Sequence, residues 1–129
     1  MNKNSLLQLS RRERQIMDII YQHGEASVAE VLENMPDPPS YSAVRAMVRI
    51  LEEKGHLKHR VDGTKFIFKP TLPTENAKRS VLSHLVQTYF DGSVEQVVAA
   101  LLDSSSTELS EPELDRLSQL IQEARKEGR

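Results

Sequence analysis

The sequence predicts a mainly α-helical chain with one small β-hairpin, and two observations support this fold class. Four Ser-x-x-Glu or Ser-x-x-Gln motifs precede hydrophobic residues spaced three and four apart, the pattern of a capped amphipathic helix. After Gly55 the hydrophobic spacing changes to two, and "HLKHRV" and "KFIFK" flank "DGT", the strongest hairpin signal in the chain. Three helices followed by a hairpin is the element order of a winged helix-turn-helix, predicted for residues 1–72. The helices of residues 73–129 are predicted to form a dimerisation domain.

The first three helices are marked at both ends. The first covers about Arg11–Gln22 and ends at Gly24, and the second covers about Val28–Asn34. The sequence "PDPP" (Pro36–Pro39) makes the turn, because proline is incompatible with a helix interior, and the third helix covers Tyr41–Gly55. Hydrophobic spacing predicts that these helices bury Ile16, Met17, Ile19, Ile20, Val31, Leu32, Met35, Val44, Met47, Val48 and Leu51.

The predicted hairpin has two different faces. Phe66 and Phe68 lie on one face and Lys65, Ile67 and Lys69 on the other, because successive side chains of a strand point to opposite sides. Two prolines, at positions 70 and 73, then end the hairpin and mark a linker.

Three further helices are predicted near Asn76–Phe90, Ser93–Asp103 and Glu111–Glu127. None is long enough to enclose a core alone, and together they leave hydrophobic surface that requires a partner. A symmetric homodimer is the simplest way to cover that surface. The residues predicted to form the dimer interface are Val81, Leu85, Val97, Leu101, Leu114, Leu117 and Ile121.

Charge is distributed unevenly along the chain. Residues 1–80 carry 13 Lys and Arg against 10 Asp and Glu, a net charge of +3, whereas residues 81–129 carry 4 against 9, a net charge of −5. A basic first half indicates that only this part faces a polyanion. The alternative is chance, since a difference of this size is not rare in a short chain.

The third predicted helix has a flat, basic outer face that fits the major groove of DNA. Ala43 and Ala46 are small enough to let the backbone approach the bases and suit contact with thymine methyl groups. Arg45 can bind a guanine edge through two hydrogen bonds, and Arg49 a base or a phosphate. The predicted DNA-binding residues of this helix are Tyr41, Ser42, Ala43, Arg45, Ala46 and Arg49. In the alternative, both arginines are solvated and pair with the acidic residues at the end of the same helix.

Basic residues of the hairpin fit a DNA-binding wing. Lys58, Arg60 and Lys65 are predicted to contact the phosphate backbone or tip into the minor groove, and each neutralised phosphate adds salt dependence. Cationic edge strands also keep sheets from pairing with one another, and this alternative stays open.

Three arginines in the first turn of the first helix place positive charge at the positive end of the helix dipole. A nearby phosphate would compensate that charge, or the three side chains are simply solvated.

The residue types that carry most enzyme chemistry are missing or scattered. The chain has no cysteine, which excludes a disulfide, a thiolate metal site and a cysteine nucleophile. Its four histidines are spread along the chain, and no glycine-rich phosphate loop or GxSxG motif occurs. We therefore predict a protein that is not an enzyme, with no metal site and no cofactor. The N-terminus has no hydrophobic run long enough for a signal peptide or membrane insertion, which predicts a cytoplasmic protein.

These segments together resemble the BlaI/MecI/CopY family of winged-helix repressors, the penicillinase and copper-operon repressors. The resemblance covers about Leu9–Gly128 and rests on "LSRRERQIMDIIY", "SVAEVLENM", "SYSAVRAMVRILEEKGHL", "FIFKPTL" and a short acidic tail of three helices. It implies a homodimer that binds double-stranded DNA at a palindromic operator and blocks transcription. By the same resemblance Ser42, Ala43, Arg45 and Ala46 face the major groove, and the tail helices form an interlocked dimer interface.

The resemblance also implies a route of induction. In several members a membrane sensor protease triggers cleavage of the repressor in the second tail helix, which destroys the dimer. In this chain Ala100-Leu101 stands where the penicillinase branch carries an Asn-Phe bond, so a sensor-protease partner is expected by analogy alone. The copper branch senses metal through paired cysteines near the C-terminus, and the lack of cysteine excludes that route here.

The sequence thus predicts a dimeric transcriptional repressor that places two recognition helices in successive major grooves of a pseudo-palindromic operator. Two other classes of function stay open. One is a winged-helix protein-interaction module whose basic face pairs with an acidic partner. The other is a small-molecule-responsive regulator that binds its ligand at the dimer interface.

Overall fold

The computed structural model describes residues 8–103 and 108–128. Within these ranges the helices are α1 (Arg11–His23), α2 (Val28–Asn34), α3 (Tyr41–Glu53), α4 (Thr74–Tyr89), α5 (Val94–Asp103) and α6 (Glu111–Lys126). The strands β1 (Leu57–Asp62) and β2 (Lys65–Pro70) lie between α3 and α4 and form an antiparallel hairpin. This element order confirms the predicted fold class. Residues 1–7, which open the first predicted domain, lie outside the described residues.

The chain divides into two compact units, one that ends at Leu82 and one that begins at Ser83. This boundary falls inside α4, whereas the predicted division into DNA-binding and dimerisation domains lies before that helix. The predicted division is a statement about function, and it stays a prediction.

Reciprocal hydrogen bonds begin three of the helices where their sequence motifs predict. Ser10, Ser27 and Ser110 each accept a hydrogen bond from the amide three residues later, and the Glu at that position accepts from the serine amide. The fourth motif is only half used. Ser93 accepts from the amide of Gln96 (3.1 Å), but its own amide donates to the carbonyl of Phe90 (2.8 Å).

A serine that no motif reveals begins α3. Ser40 has an extended backbone, and its Oγ accepts a hydrogen bond from the amide of Ala43 (3.1 Å). The third position of the helix holds alanine instead of an acidic residue, so the reciprocal half of a capping box is missing from the sequence.

The core of the first unit is formed by α1, α2, α3 and the hairpin. Its most enclosed side chains are Ile16, Ile20, Val31, Val44, Val48, Leu51 and Leu57. Leu32 and Met47 are partly buried against this core, and the other residues predicted to be buried in the three helices are buried. Enclosing one such side chain stabilises the fold by ~1.5–3 kcal/mol. The inner side of α3 is therefore fixed by Val44, Val48 and Leu51, and its opposite side faces solvent.

The pairing of β1 with β2 separates a mostly hydrophobic face from a basic face, as the alternation predicts. One face carries Leu57, His59, Val61, Phe66 and Phe68, and the other carries Lys58, Arg60, Lys65, Ile67 and Lys69. On the basic face Lys58 lies directly opposite Lys69.

A short backbone bridge ties the hairpin to the segment between α1 and α2. The amide of Ala26 donates to the carbonyl of Phe68 (2.9 Å), and the amide of Phe68 donates back to the carbonyl of Ala26 (2.8 Å). Both side chains are buried in the core. The hairpin is thus held at its middle as well as at its connection to α3.

The second unit contains the C-terminal half of α4 together with α5 and α6. The amide of Gly92 donates to the carbonyl of Val86 (2.9 Å), which closes the end of α4. Most hydrophobic side chains of this unit are exposed; across 83–103 and 108–128, Val97 is the one that is buried. None of the helices in the described ranges is both long and hydrophobic enough to cross a membrane.

Candidate nucleic-acid interface

The outer side of α3 presents two guanidinium groups that have no partner among the described residues. Arg45 and Arg49 are exposed, and neither side chain makes a hydrogen bond or ion pair with any described residue. In the alternative considered above, Glu52 would pair with one of these arginines. Glu52 instead lies within hydrogen-bond distance of His59 Nδ1. The positive charge of the two arginines is therefore free to meet a ligand.

The small and polar residues of α3 lie around these arginines. Ser42 is exposed, and Ala43 and Ala46 are partly buried. Tyr41 is 51% exposed at the N-terminal end of the helix. Small side chains at these positions leave the backbone of α3 open to a close approach by a flat partner such as a base-pair edge.

A cleft of about 450 Å³ opens between α3, the start of α2 and the hairpin. Its lining includes Tyr41, Arg45, Arg49 and, from the hairpin, Lys65 and Phe66. Four of the residues predicted to bind DNA thus border one concave surface. Its walls combine positive charge with aromatic rings.

An aromatic stack supports the hairpin beside α3. The ring of His59 stacks on that of Phe66 with centroids 4.4 Å apart, and Phe66 meets Phe68 edge to face at 6.4 Å. Because His59 also contacts Glu52 of α3, the stack is linked directly to the helix. The sequence did not predict that His59 links the hairpin to α3. A contact between a helix and a strand seven residues apart leaves no periodic pattern in the sequence.

The other two predicted wing residues lie on the opposite face of the hairpin from this stack. Arg60 Nη2 donates to Glu25 Oε2 at 2.7 Å, and this contact raises the pKa of Arg60 and lowers that of Glu25. Lys58 is exposed and faces Lys69 across the strands. Lys65 lies on the same hairpin face as Lys58 and Arg60, but close to the turn of the hairpin, where it borders the cleft with Arg45 and Arg49.

One arginine at the start of α1 makes hydrogen bonds within the protein. The guanidinium of Arg12 donates to the backbone carbonyls of Pro36 (3.1 Å) and Asp37 (2.8 Å). Arg11 and Arg14 are exposed and make no hydrogen bond with the described residues. The three arginines, which look alike in the sequence, are thus not equivalent.

The residues predicted to form a dimer interface are mostly exposed in the single chain. The exposed ones are Val81, Leu85, Leu101, Leu114, Leu117 and Ile121. Val97 is already buried within the chain. In α6 the residues Leu114, Leu117 and Ile121 follow one another at helical spacing and form one hydrophobic stripe.

The described ranges contain no group of three or more His, Asp or Glu side chains arranged to hold a metal ion. The surface between α3 and the hairpin combines exposed positive charge, exposed aromatic rings and a concave shape.

The chain matches one protein family model and is similar to two individual proteins. The penicillinase repressor family model matches residues 9–123. The chain is 26% identical over 119 residues to a penicillinase repressor from Bacillus licheniformis, covering 90% of this chain and 91% of that protein. It is also 26% identical over 120 residues to an uncharacterized 16.5 kDa protein in the ptsI 3' region of Latilactobacillus sakei, covering 88% and 78%.

Among solved structures, a possible transcriptional regulator for arsenical resistance aligns with a TM-score of 0.46 at 20% identity, covering 77% of this chain and 95% of that one. The family match spans both compact units and includes every residue predicted to contact DNA or to form the dimer. The chain therefore belongs to the penicillinase repressor family.

Proposed function

We propose that this protein is a transcriptional repressor that binds double-stranded DNA as a homodimer at a pseudo-palindromic operator. The observation that carries the proposal is the pair of exposed guanidinium groups of Arg45 and Arg49 on the outer side of α3, neither of which is paired within the part of the chain that the structure describes. The inner side of that helix is fixed in the core, so the arginines are presented from a rigid support. Family membership supports the same function.

In this proposal α3 enters the major groove. Arg45 reads a guanine edge through two hydrogen bonds, and Ala43 and Ala46 contact thymine methyl groups. Arg49 binds a base or a phosphate, and Tyr41 and Ser42 approach phosphate oxygens at the N-terminal end of the helix. The cleft beside Arg45 and Arg49 leaves room for a sugar–phosphate strand between α3 and the hairpin.

The hairpin contributes through charge. Lys65 borders the cleft and is the hairpin residue best placed to neutralise a phosphate on the same DNA strand. Lys58 and Arg60 share the hairpin face of Lys65 but do not border the cleft, and the charge of Arg60 is offset by its ion pair with Glu25. We therefore assign the larger part of the wing's contribution to Lys65.

Dimerisation covers the exposed hydrophobic side chains of α4, α5 and α6. A single chain leaves the stripe of Leu114, Leu117 and Ile121 in water, and a second copy of the same surface is the complement that two-fold symmetry supplies. Two recognition helices then reach successive major grooves about 34–36 Å apart. In this arrangement residues 1–72 bind DNA and residues 73–129 hold the dimer together.

The remaining parts of the proposal follow from the family. The protein acts in the cytoplasm, without catalysis, metal or cofactor, and blocks transcription where its operator overlaps a promoter. A membrane sensor-protease pathway that relieves repression belongs to this proposal by family analogy. The different residues at Ala100-Leu101 make cleavage at that bond a separate question from DNA binding.

Selection from a random DNA duplex pool tests the proposal and does not require the regulated genes to be identified. We expect an inverted repeat to be enriched, and we expect fluorescence anisotropy to show tighter binding to it than to a scrambled duplex. Both affinities should fall steeply between two salt concentrations, because phosphate contacts release counterions. Arg45→Ala combined with Arg49→Ala should abolish the preference, whereas the exposed Arg116→Ala should keep it. No enrichment, with equal weak binding to every duplex, would refute operator recognition and favour a protein partner.

A further inference from the structure

The turn between α2 and α3 lacks the hydrogen-bond donors that a turn normally supplies to itself. Three of its four residues, Pro36, Pro38 and Pro39, are prolines and have no amide hydrogen. The fourth, Asp37, has a left-handed backbone with φ of 47°, a conformation that is uncommon outside glycine and that aspartate tolerates better than most residues. The carbonyl groups of this turn therefore need donors from elsewhere in the chain.

Arg12 supplies those donors from the first turn of α1. Its Nη2 donates to the carbonyl of Asp37 at 2.8 Å and its Nη1 to the carbonyl of Pro36 at 3.1 Å. Nη1 also donates to Gln15 Oε1 at 3.1 Å, which fixes the guanidinium against its own helix. A planar guanidinium has its donors in a fixed fork, so contact with two consecutive carbonyls sets the position of both.

The turn leads directly into α3, because it is followed by Ser40, the residue that begins the helix. The residue next to Arg12 holds the other end of α3: Glu13 Oε2 accepts a hydrogen bond from Lys54 Nζ at 2.9 Å, and Lys54 follows the last helical residue. Two consecutive residues of α1 thus contact the segments before and after α3.

We propose that Arg12 is a positioning residue for DNA recognition, which fixes the orientation of α3 through the Pro36–Pro39 turn. This inference rests on the proposed function, since α3 is taken as the recognition helix. Arg12 already donates three of its five N–H groups to protein acceptors, which directs its guanidinium towards the turn. A helix that reads base edges tolerates little misorientation, whereas contacts driven by charge alone tolerate more.

Arg12→Lys tests the inference, because lysine keeps the charge and loses the fork. We expect affinity for the selected operator to fall about tenfold, the size of one lost base contact. Affinity for a scrambled duplex and the salt dependence should stay at the wild-type values. Arg11→Lys is the matched control, since Arg11 is the exposed neighbour with no hydrogen bond to described residues, and it should change neither affinity. Thermal melting verifies that both variants are folded.

Amide spectra of the free protein give a second readout that does not depend on DNA. Arg12→Lys should shift the resonances of Ser42 to Arg45 in α3, and Arg11→Lys should not. Wild-type operator affinity together with unchanged α3 resonances in Arg12→Lys would overturn the inference. A shallower salt dependence in Arg12→Met that Arg12→Lys restores would also overturn it, because that pattern identifies a phosphate contact. If the wild type itself does not distinguish operator from scrambled DNA, the proposed function fails, and the resonances still decide whether Arg12 positions α3.

Discussion

Glu13 and Lys54 form an ion pair of 2.9 Å that joins the first turn of α1 to the residue after α3. The same Glu13 side chain accepts a hydrogen bond from the amide of Ser10 at 2.9 Å through its other oxygen. Burial alone would raise the pKa of Glu13, but the hydrogen bonds from Ser10 and Lys54 and the positive charge of Lys54 outweigh it and lower that pKa. One carboxylate therefore begins α1 and fixes the end of α3.

Replacing Glu13 should destabilise the protein in proportion to the contacts removed. Glu13→Ala loses both the helix-start hydrogen bond and the ion pair, and we expect it to lower the free energy of unfolding by about 2 kcal/mol. Glu13→Gln keeps an acceptor for the Ser10 amide, so about 1 kcal/mol is expected. Lys54→Met removes the ion pair alone and should cost below about 1 kcal/mol, because the lysine is 45% exposed and solvent screens the pair. Urea unfolding measures all three, and an equal loss in each variant would contradict this order.

His56 should make stability depend on pH near neutrality. Its side chain is buried, and its Nε2 has no hydrogen-bond partner among the described residues. Burial and then the positive charge of Lys54 lower the pKa of His56, against the opposing charge of Glu13. The unfolded chain binds the proton more readily, so stability is fully present above the unfolded pKa of about 6.5 and is lost as pH falls towards the folded value. His56→Leu should therefore flatten the profile below about pH 6.5.

Urea midpoints at several pH values between neutrality and mildly acidic conditions measure this effect. His23→Gln is the matched control for replacing a histidine, because His23 is exposed in the last turn of α1, and it should retain the acid-sensitive loss of stability that His56→Leu removes. We also expect His56→Leu to be no less stable than the wild type at neutral pH, since it removes a buried polar atom that lacks a partner. A His56→Leu protein that loses stability over the same interval as the wild type would show that another group titrates there.

Local chemistry explains why the boundaries of the helices were predictable. The ends of α1 and α2 were placed to within a residue, since a serine, an acidic residue three positions later and a glycine act over a few residues. Alternation predicted that Phe66 and Phe68 share one hairpin face, and the strands are joined at Gly63 and Thr64, within the predicted turn. The start of α3 at Tyr41 was also predicted, but its capping residue Ser40 was not identified, because the motif lacks its acidic half.

The contacts that complete the site could not be predicted in the same way. Arg12 and Asp37 are 25 residues apart, and Arg60 and Glu25 are 35 apart, so no spacing rule relates them. The sequence placed Arg45 and Arg49 on an exposed basic face, where the structure has them. It treated Lys58 and Lys65 as equivalent wing residues. The register puts both on one face, and of the two Lys65 borders the cleft beside α3, a difference that alternation does not reveal.

Arg45→Ala should change sequence preference more than overall DNA affinity. If Arg45 binds a guanine edge through two hydrogen bonds, its loss should remove ~1–3 kcal/mol of sequence discrimination at one base pair. Discrimination at the other base pairs of the operator should stay the same. Titration of a panel of single-base operator variants measures this. Arg49→Ala is the comparison: as a phosphate contact it should weaken all duplexes alike and reduce the salt dependence by about one counterion. Uniform weakening by Arg45→Ala would reassign Arg45 to the phosphate backbone.

Leu117→Asp should separate dimerisation from folding of the DNA-binding unit. Leu117 lies in the exposed stripe of α6, and a carboxylate there would be buried without a partner in the proposed interface. We expect a monomer by analytical ultracentrifugation, with the circular dichroism and thermal transition of the first unit preserved. Operator affinity should fall at least about a hundredfold, because the second half-site no longer benefits from the effective concentration of a linked partner.

Gln119→Asp provides the matched control on the same helix. Residue 119 lies on the side of α6 away from Leu114, Leu117 and Ile121, so the same new charge should stay in water and leave both the dimer and operator binding intact. If both variants dissociate the dimer, added negative charge on an already acidic unit is responsible, and the hydrophobic stripe is not the interface. A Leu117→Asp monomer that binds the full operator as tightly as the wild type would show that each chain recognises DNA independently, and the two-fold arrangement would have to be abandoned.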